Sequence, residues 1–79
     1  MKPRTRHLLE WLARSSAPVL ESQIMGASLS SALNDALRNG YADMVAHPTV
    51  TDRSDFGGPR VPAAGVVLTP AGRAALDAA

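Results

Sequence analysis

Most of the residues in this chain that can do chemistry are cations. Seven arginines and one lysine stand against seven carboxylates, giving a formal charge of +1. Guanidinium groups donate N–H in a planar fork, which suits carboxylates and phosphates. The two imidazoles, His7 and His47, are far apart, Cys is absent, and no Glu stands at ligand spacing. The residues therefore predict no metal site and no cofactor. Ser, His and Asp all occur, but no serine lies in a nucleophile motif such as G-x-S-x-G. With little apolar volume to wall a substrate pocket, the chain reads as a non-enzyme.

Seventy-nine residues make one domain, and a domain so short hides only about 60% of its unfolded surface. Hydrophobic residues make up 46%, too many for a disordered chain. The missing cysteines rule out disulfide staples and fit a reducing compartment. The basic start, MKPRTRHLLEWLAR, has its apolar stretch broken by Glu10 and Arg14, which argues against a signal-peptide core. No segment approaches the roughly 18 apolar residues of a membrane span. These features predict a cytoplasmic protein with no membrane partner. The isoelectric point, about 8.4, is below the strongly basic range of a dedicated nucleic-acid domain.

Helical periodicity places the elements. Arg4 to Ser15 reads as a helix with Leu8, Leu9, Trp11 and Leu12 inward and Arg6, Glu10 and Arg14 outward, four apart. Trp11 shares a face with Leu8 and Leu12 and reads as core or half-buried rather than as a stacking platform. Pro18 forces Ala17 into an extended conformation. Leu20 to Ala27 reads as a short second helix, inward at Leu20 and Ile24 and ended by Gly26. Ser28 is placed to cap the next helix. The strongest pattern follows in LSSALNDALRNG. Leu29, Ala32, Leu33, Ala36 and Leu37 form one buried stripe, and Ser31, Asn34, Asp35 and Arg38 point away. Gly40 supplies a left-handed stop.

Beyond Gly40 the helical period disappears. Tyr41 to Val50 reads as a weak strand interrupted by Pro48. TDRSDFGGPRVPAAG, Thr51–Gly65, carries three Gly and two Pro and reads as a loop. Phe56, within it, reads as folding back under the loop rather than as an exposed tip. VVL is a short strand. Thr69 caps a final helix with Pro70 in its first position, where the missing N–H costs nothing. The expected core is Leu29, Leu33 and Leu37 with Leu8, Leu12, Ile24, Val67, Leu68 and Leu76.

Three helices, two strands joined by a Gly-rich loop, and a strand running directly into LTPAGRAAL resemble the winged helix-turn-helix family, in its MarR-like and PadR-like style. LRNGYADMV, a third helix ending at Gly before an apolar residue, carries part of that resemblance. Leu68 to Leu76 carries the rest, and the likeness spans residues 5–79. It implies an α+β fold: a three-helix unit, a two-stranded β-hairpin wing over about 51–65, and a C-terminal helix. It also implies a sequence-specific transcriptional regulator that binds double-stranded DNA. Leu29–Asn39 would be the recognition helix in the major groove, and Thr51–Gly65 the wing on backbone or minor groove. The residues so implied are Ser30, Ser31, Asn34 and Arg38 on the helix, and Arg53 and Arg60 on the wing. Asn suits adenine and Arg suits guanine by paired donor geometry.

The chain carries no added dimerisation helices, so a monomer or weak homodimer is expected. The bland reading of Ser31, Asn34 and Arg38 is a solvated helix face, since Asp35 on that face would repel phosphate. The alternative function is a winged-helix protein–protein interaction module, such as a phage or plasmid accessory factor that binds a host protein. The placement of the arginines separates the two. One continuous face of Arg14, Arg38, Arg53 and Arg60 favours DNA. Scatter, or pairing with Asp43, Asp52 and Asp55, favours a protein partner.

Overall fold

A computed structural model describes residues 1–52 and 60–78. In chain order the elements are α1 (Pro3–Arg14), β1 (Val19–Leu20), α2 (Glu21–Gly26), α3 (Ser30–Arg38), β2 (Ala42–Asp52), β3 (Val61–Leu68) and α4 (Pro70–Ala78). The fold is α+β. Its four helices pack with one antiparallel three-stranded sheet of order β1-β3-β2.

Helix α1 starts on Pro3, whose fixed φ and missing N–H suit a first helical position. It buries Thr5, Leu8, Leu9 and Leu12, the i, i+3, i+4, i+7 stripe of an amphipathic helix. Ile24 of α2 and Ala32, Leu33 and Ala36 of α3 meet this stripe, and Val19, Leu29, Ala42 and Val66 complete one hydrophobic cluster. Trp11, Leu37, Leu68 and Leu76 pack on it half-buried. Val67, expected in the core, lies outside that cluster, while its neighbour Val66 is fully buried: the strand alternates faces, and Val66 takes the inner one.

The helices α2 and α3 end in the same way. At the end of α3 the N–H groups of Gly40 and Tyr41 donate to the carbonyls of Leu37 and Ala36, and Gly40 has φ +73°. At the end of α2 the N–H groups of Ser28 and Leu29 donate to Met25 and Ile24, and Ser28 has φ +61°. Each is a Schellman motif with a left-handed residue and an apolar residue after it. Ser28 therefore closes α2 instead of capping α3. The cap position of α3 falls to Leu29, which makes no side-chain cap bond. Gly26 is not the left-handed residue either. It is the last residue of α2 and has no positive φ.

The sheet is longer than its sequence signals. Thr51 and Asp52 belong to β2, and Val61 to Gly65 belong to β3, so the expected loop over Thr51–Gly65 is a strand at both ends. Pro62 and Gly65, two of the residues that signalled a loop, have other uses there. Gly65 pairs with Leu20 of β1, and a Cβ on it would come 2.9 Å from Pro18 Cβ; the strand needs glycine where that segment crosses. At Pro62 only β2 pairs with β3, because β1 reaches no further than Gly65 and Val66. A missing N–H is tolerated on that open side.

Between the pairs Ala46–Ala64 and Thr51–Pro62, β2 advances five residues while β3 advances two. The excess is a bulge at His47–Val50. His47 organises it: Nδ1 accepts from the backbone N–H of Thr49 at 3.2 Å and of Val50 at 3.1 Å. Pro48, with no donor of its own, sits inside the turn. Beyond Ala42, β2 buries no side chain, and the molecule measures 45 × 21 × 19 Å.

The strand β3 passes into α4 through one residue. Thr69 N–H donates to the carbonyl of Tyr41 at 3.1 Å, and Thr69 Oγ1 donates to the carbonyl of Gly40 at 2.6 Å. The same hydroxyl accepts from Gly72 N–H at 3.0 Å, capping α4 as expected. Gly72 is buried against this junction. A Cβ on it would overlap the Tyr41 carbonyl oxygen and stand 2.7 Å from Leu68 Cδ1.

Two glycine substitutions of opposite sign test these placements. Gly72→Ala forces backbone against backbone and should destabilise by about 1–3 kcal/mol or more, a large share of the margin of so small a domain. Ser28→Gly relieves a left-handed serine whose hydroxyl makes no hydrogen bond among the described residues, and should stabilise by up to about 1 kcal/mol. Urea midpoints of both variants check this. A Gly72→Ala midpoint equal to wild type removes the junction, and a lowered Ser28→Gly midpoint removes the strain.

Candidate nucleic-acid interface

Helix α3 is divided by its own periodicity. Ala32, Leu33 and Ala36 are sealed into the core, and Ser30, Ser31, Asn34 and Arg38 are all exposed on the opposite side. The four residues implied for the helix thus share one outward face. Arg60, just before β3, is also exposed. Arg53, Asp55 and Phe56 lie outside the described residues.

Asp35 does something the sequence did not signal. Thr5, the one buried polar side chain among the described residues, donates from Oγ1 to Asp35 Oδ2 at 2.8 Å. Asn39 Nδ2 donates to Asp35 Oδ1 at 3.3 Å and to its carbonyl at 2.8 Å. Both carboxylate oxygens are occupied, and the group ties α1 to α3 instead of standing free on the outer face. Without Asp35 the Thr5 hydroxyl would be a buried donor with no partner, which is costly.

That tie helps bring the start of the chain beside α3. Lys2 joins Ser31, Asn34, Asp35 and Arg38 around a hollow of about 220 Å3. A second hollow of about 460 Å3 is lined by Lys2, Pro3, Arg4, Thr5, Ser31 and Ala32. Arg4 Nη1 also donates to the Ser28 carbonyl at 3.3 Å, holding α1 against the α2–α3 turn. Lys2 and Arg4 are functional candidates that sequence reasoning missed. They are distant in sequence from α3, and the packing of α1 on α3, with the Thr5–Asp35 and Arg4–Ser28 hydrogen bonds, places them there.

The remaining cations lie elsewhere. Arg6 forms an ion pair with Glu10 at 2.9 Å, the one such pair among the described residues. Arg6, Glu10 and Arg14 line a hollow with Ala13 and Leu76 of α4, and Arg73 lines another with residues of α1 and β3. Arg14 therefore does not share a hollow with Arg38. Asp43 accepts from the adjacent Met44 N–H at 3.0 Å, and among the described residues neither Asp43 nor Asp52 pairs with an arginine. Near the hairpin, Glu21, Ser22 and exposed Met25 of α2 face Asp52, Ala63 and Ala64.

No protein-family model, curated protein or solved structure matches this chain. Among the described residues no three His, Cys, Asp or Glu side chains cluster as metal ligands, and no helix is long and apolar enough to cross a membrane.

The Thr5–Asp35 bond makes a checkable claim. Thr5→Val keeps the shape of the side chain and removes one donor to a carboxylate. It should cost about 1.5–3 kcal/mol by thermal or urea unfolding, the range for hydrogen bonds to charged groups. Thr5→Ser should lose much less. Equal stability for Thr5→Val and wild type would show that α1 is held to α3 by apolar packing alone.

Proposed function

We propose that this chain is a winged helix that binds double-stranded DNA as a sequence-specific transcriptional regulator. The observation that carries the reading is the outward face of α3. Ser30, Ser31, Asn34 and Arg38 are exposed there, Lys2 flanks them, and neither cation is in an ion pair among the described residues. A helix of this width fits a major groove, and its polar face offers donors and acceptors to base edges. Support also comes from the arrangement around it. A short helix and a tight turn precede α3, and an antiparallel hairpin follows it, as a winged helix requires. In this reading the hairpin tip is the wing, and Arg53 and Arg60 meet phosphates or a minor groove. The chemistry is recognition, with no catalysis and no cofactor.

One observation favours the second reading, a protein-interaction module. Arg6, Arg14 and Arg73 lie on the α1–α4 side, and Glu21, Asp52 and exposed Met25 line a single hollow between α2 and the hairpin. Those carboxylates repel a phosphate backbone approaching near the hairpin, whereas a basic, apolar peptide complements them.

Duplex affinity measured against salt separates the two. Arg60→Ala should weaken binding to all duplexes alike and reduce the salt slope by about one phosphate contact. Arg38→Ala, on a rigid helix one turn after Asn34, should cost about 1–3 kcal/mol on a preferred site selected from a random pool, and much less on random DNA. A wild-type protein that binds no duplex at low salt ends the DNA reading in favour of the protein module.

A further inference from the structure

We infer that Lys2, the residue before α1, anchors one phosphodiester group in the hollow it forms with α3 and thereby sets how α3 sits in the groove. The inference rests on the DNA reading and adds a residue and a ligand chemistry to it. The hollow is lined by Lys2, Ser31, Asn34, Asp35 and Arg38. Four of these offer donors: an ammonium, a hydroxyl, an amide and a guanidinium. The one acceptor group, Asp35, already receives Thr5 Oγ1 on one oxygen and Asn39 Nδ2 on the other. Each of its oxygens accepts one hydrogen bond within the fold, and its single negative charge is outweighed by the two cations that line the hollow with it. A hollow rich in donors that make no side-chain hydrogen bond among the described residues, and open to solvent, takes an oxyanion.

The position explains why that oxyanion belongs to a nucleic-acid backbone. Ser31, Asn34 and Arg38 follow one another along a single helix face, so a ligand in the hollow lies alongside α3. Lys2 comes from another element, at the edge of that face. A base edge presented to Asn34 and Arg38 brings its flanking phosphates to the sides of the helix, where Lys2 stands. Ammonium is a compact charge on a flexible stem, suited to a phosphate and ill suited to bidentate base reading. The division of labour in this reading is that Lys2, with Ser31, holds the phosphate at the edge of the helix, while Asn34 and Arg38 turn their donors to bases.

The test is duplex binding over a salt series, with a preferred and a random sequence, for wild type and three variants. Lys2→Gln should weaken both duplexes by the same factor, and its deficit should shrink about threefold between about 50 and about 200 mM salt as one fewer counterion is released. Lys2→Arg should keep most of the affinity. Arg14→Gln, which removes an equal charge on the α1–α4 side, should leave the slope near wild type. Lys2 is exposed, so its variants should keep the wild-type melting temperature. Wild-type binding with a Lys2→Gln slope and affinity unchanged overturns the anchor and leaves the DNA reading standing. Equal losses in Lys2→Gln and Arg14→Gln also overturn it, since charge alone would then matter. No wild-type duplex binding at low salt, or tighter binding of a poly-glutamate peptide than of duplex, removes the anchor together with the DNA reading.

Discussion

The carbonyls of Gly40 and Tyr41 hold this fold together. They leave the end of α3, and both are taken up by Thr69, one by its hydroxyl and one by its N–H. The two sites are 29 residues apart in sequence, so their bonds close the β2–β3 hairpin onto the helices at its base. Gly40 must be left-handed for those carbonyls to point outward, and Gly72 must lack a side chain for α4 to approach them. Pro70 then starts α4 immediately. A strand can run into a helix with no loop because the joint residue serves four partners at once: the carbonyls of Gly40 and Tyr41 just past α3, and the N–H groups of Gly72 and Arg73 in α4. Loss of the Thr69 hydroxyl would leave the partly buried Gly72 N–H without its cap.

From that joint the rest of the positioning follows. With the end of α3 fixed to the sheet, the other end is set by the α2–α3 turn, where Ser28 takes the same left-handed role as Gly40. Thr5 and Asp35 then lock α1 across the middle of α3. The helix proposed to read DNA is held at both ends and at its centre by hydrogen bonds, while its outer face makes few bonds of its own. A surface that must keep its geometry while its donors stay free needs support of this kind, because the fixing interactions must come from the inner side.

Much of this was legible in the sequence. The stripe of α3, the Gly40 stop, the inward leucines of α1, and the Thr69–Pro70 start are local chemistry, each set by residues within a turn or two. Apart from Ser28, where a local turn decides, the failures were cases where tertiary contact decides. β1 has two residues, too few to show a period, and exists because β3 offers it partners. Ser28 was legible as a cap because serine caps helices, but a turn this short places the end of one helix and the start of the next on the same residues. The left-handed demand prevailed there over capping. Pro62 and Gly65 looked like loop residues because an open edge and a close crossing cannot be seen from one strand alone. The exposed face of α3 was legible, and its neighbours were not. Lys2 and Arg4 carry no signal that ties them to α3, and Asp35 looked like an obstacle to phosphate when it is one of the ties that bring Lys2 there.

Placement also settles how a chain of formal charge +1 can be considered for nucleic acid at all. Net charge governs long-range attraction, and at physiological salt that attraction fades beyond about 8 Å. Within that distance the local count matters. Around the α3 hollow Lys2 and Arg38 outnumber Asp35, whereas around the hollow between α2 and the hairpin Glu21 and Asp52 have no cation among the lining residues. The molecule is therefore polarised over a short range, with one face suited to anions and another suited to cations. A domain so divided gains little from distant steering and must rely on close, shaped contact. In the proposed reading the support behind α3 provides that contact, and the acidic hollow would limit which side of a duplex the hairpin can approach.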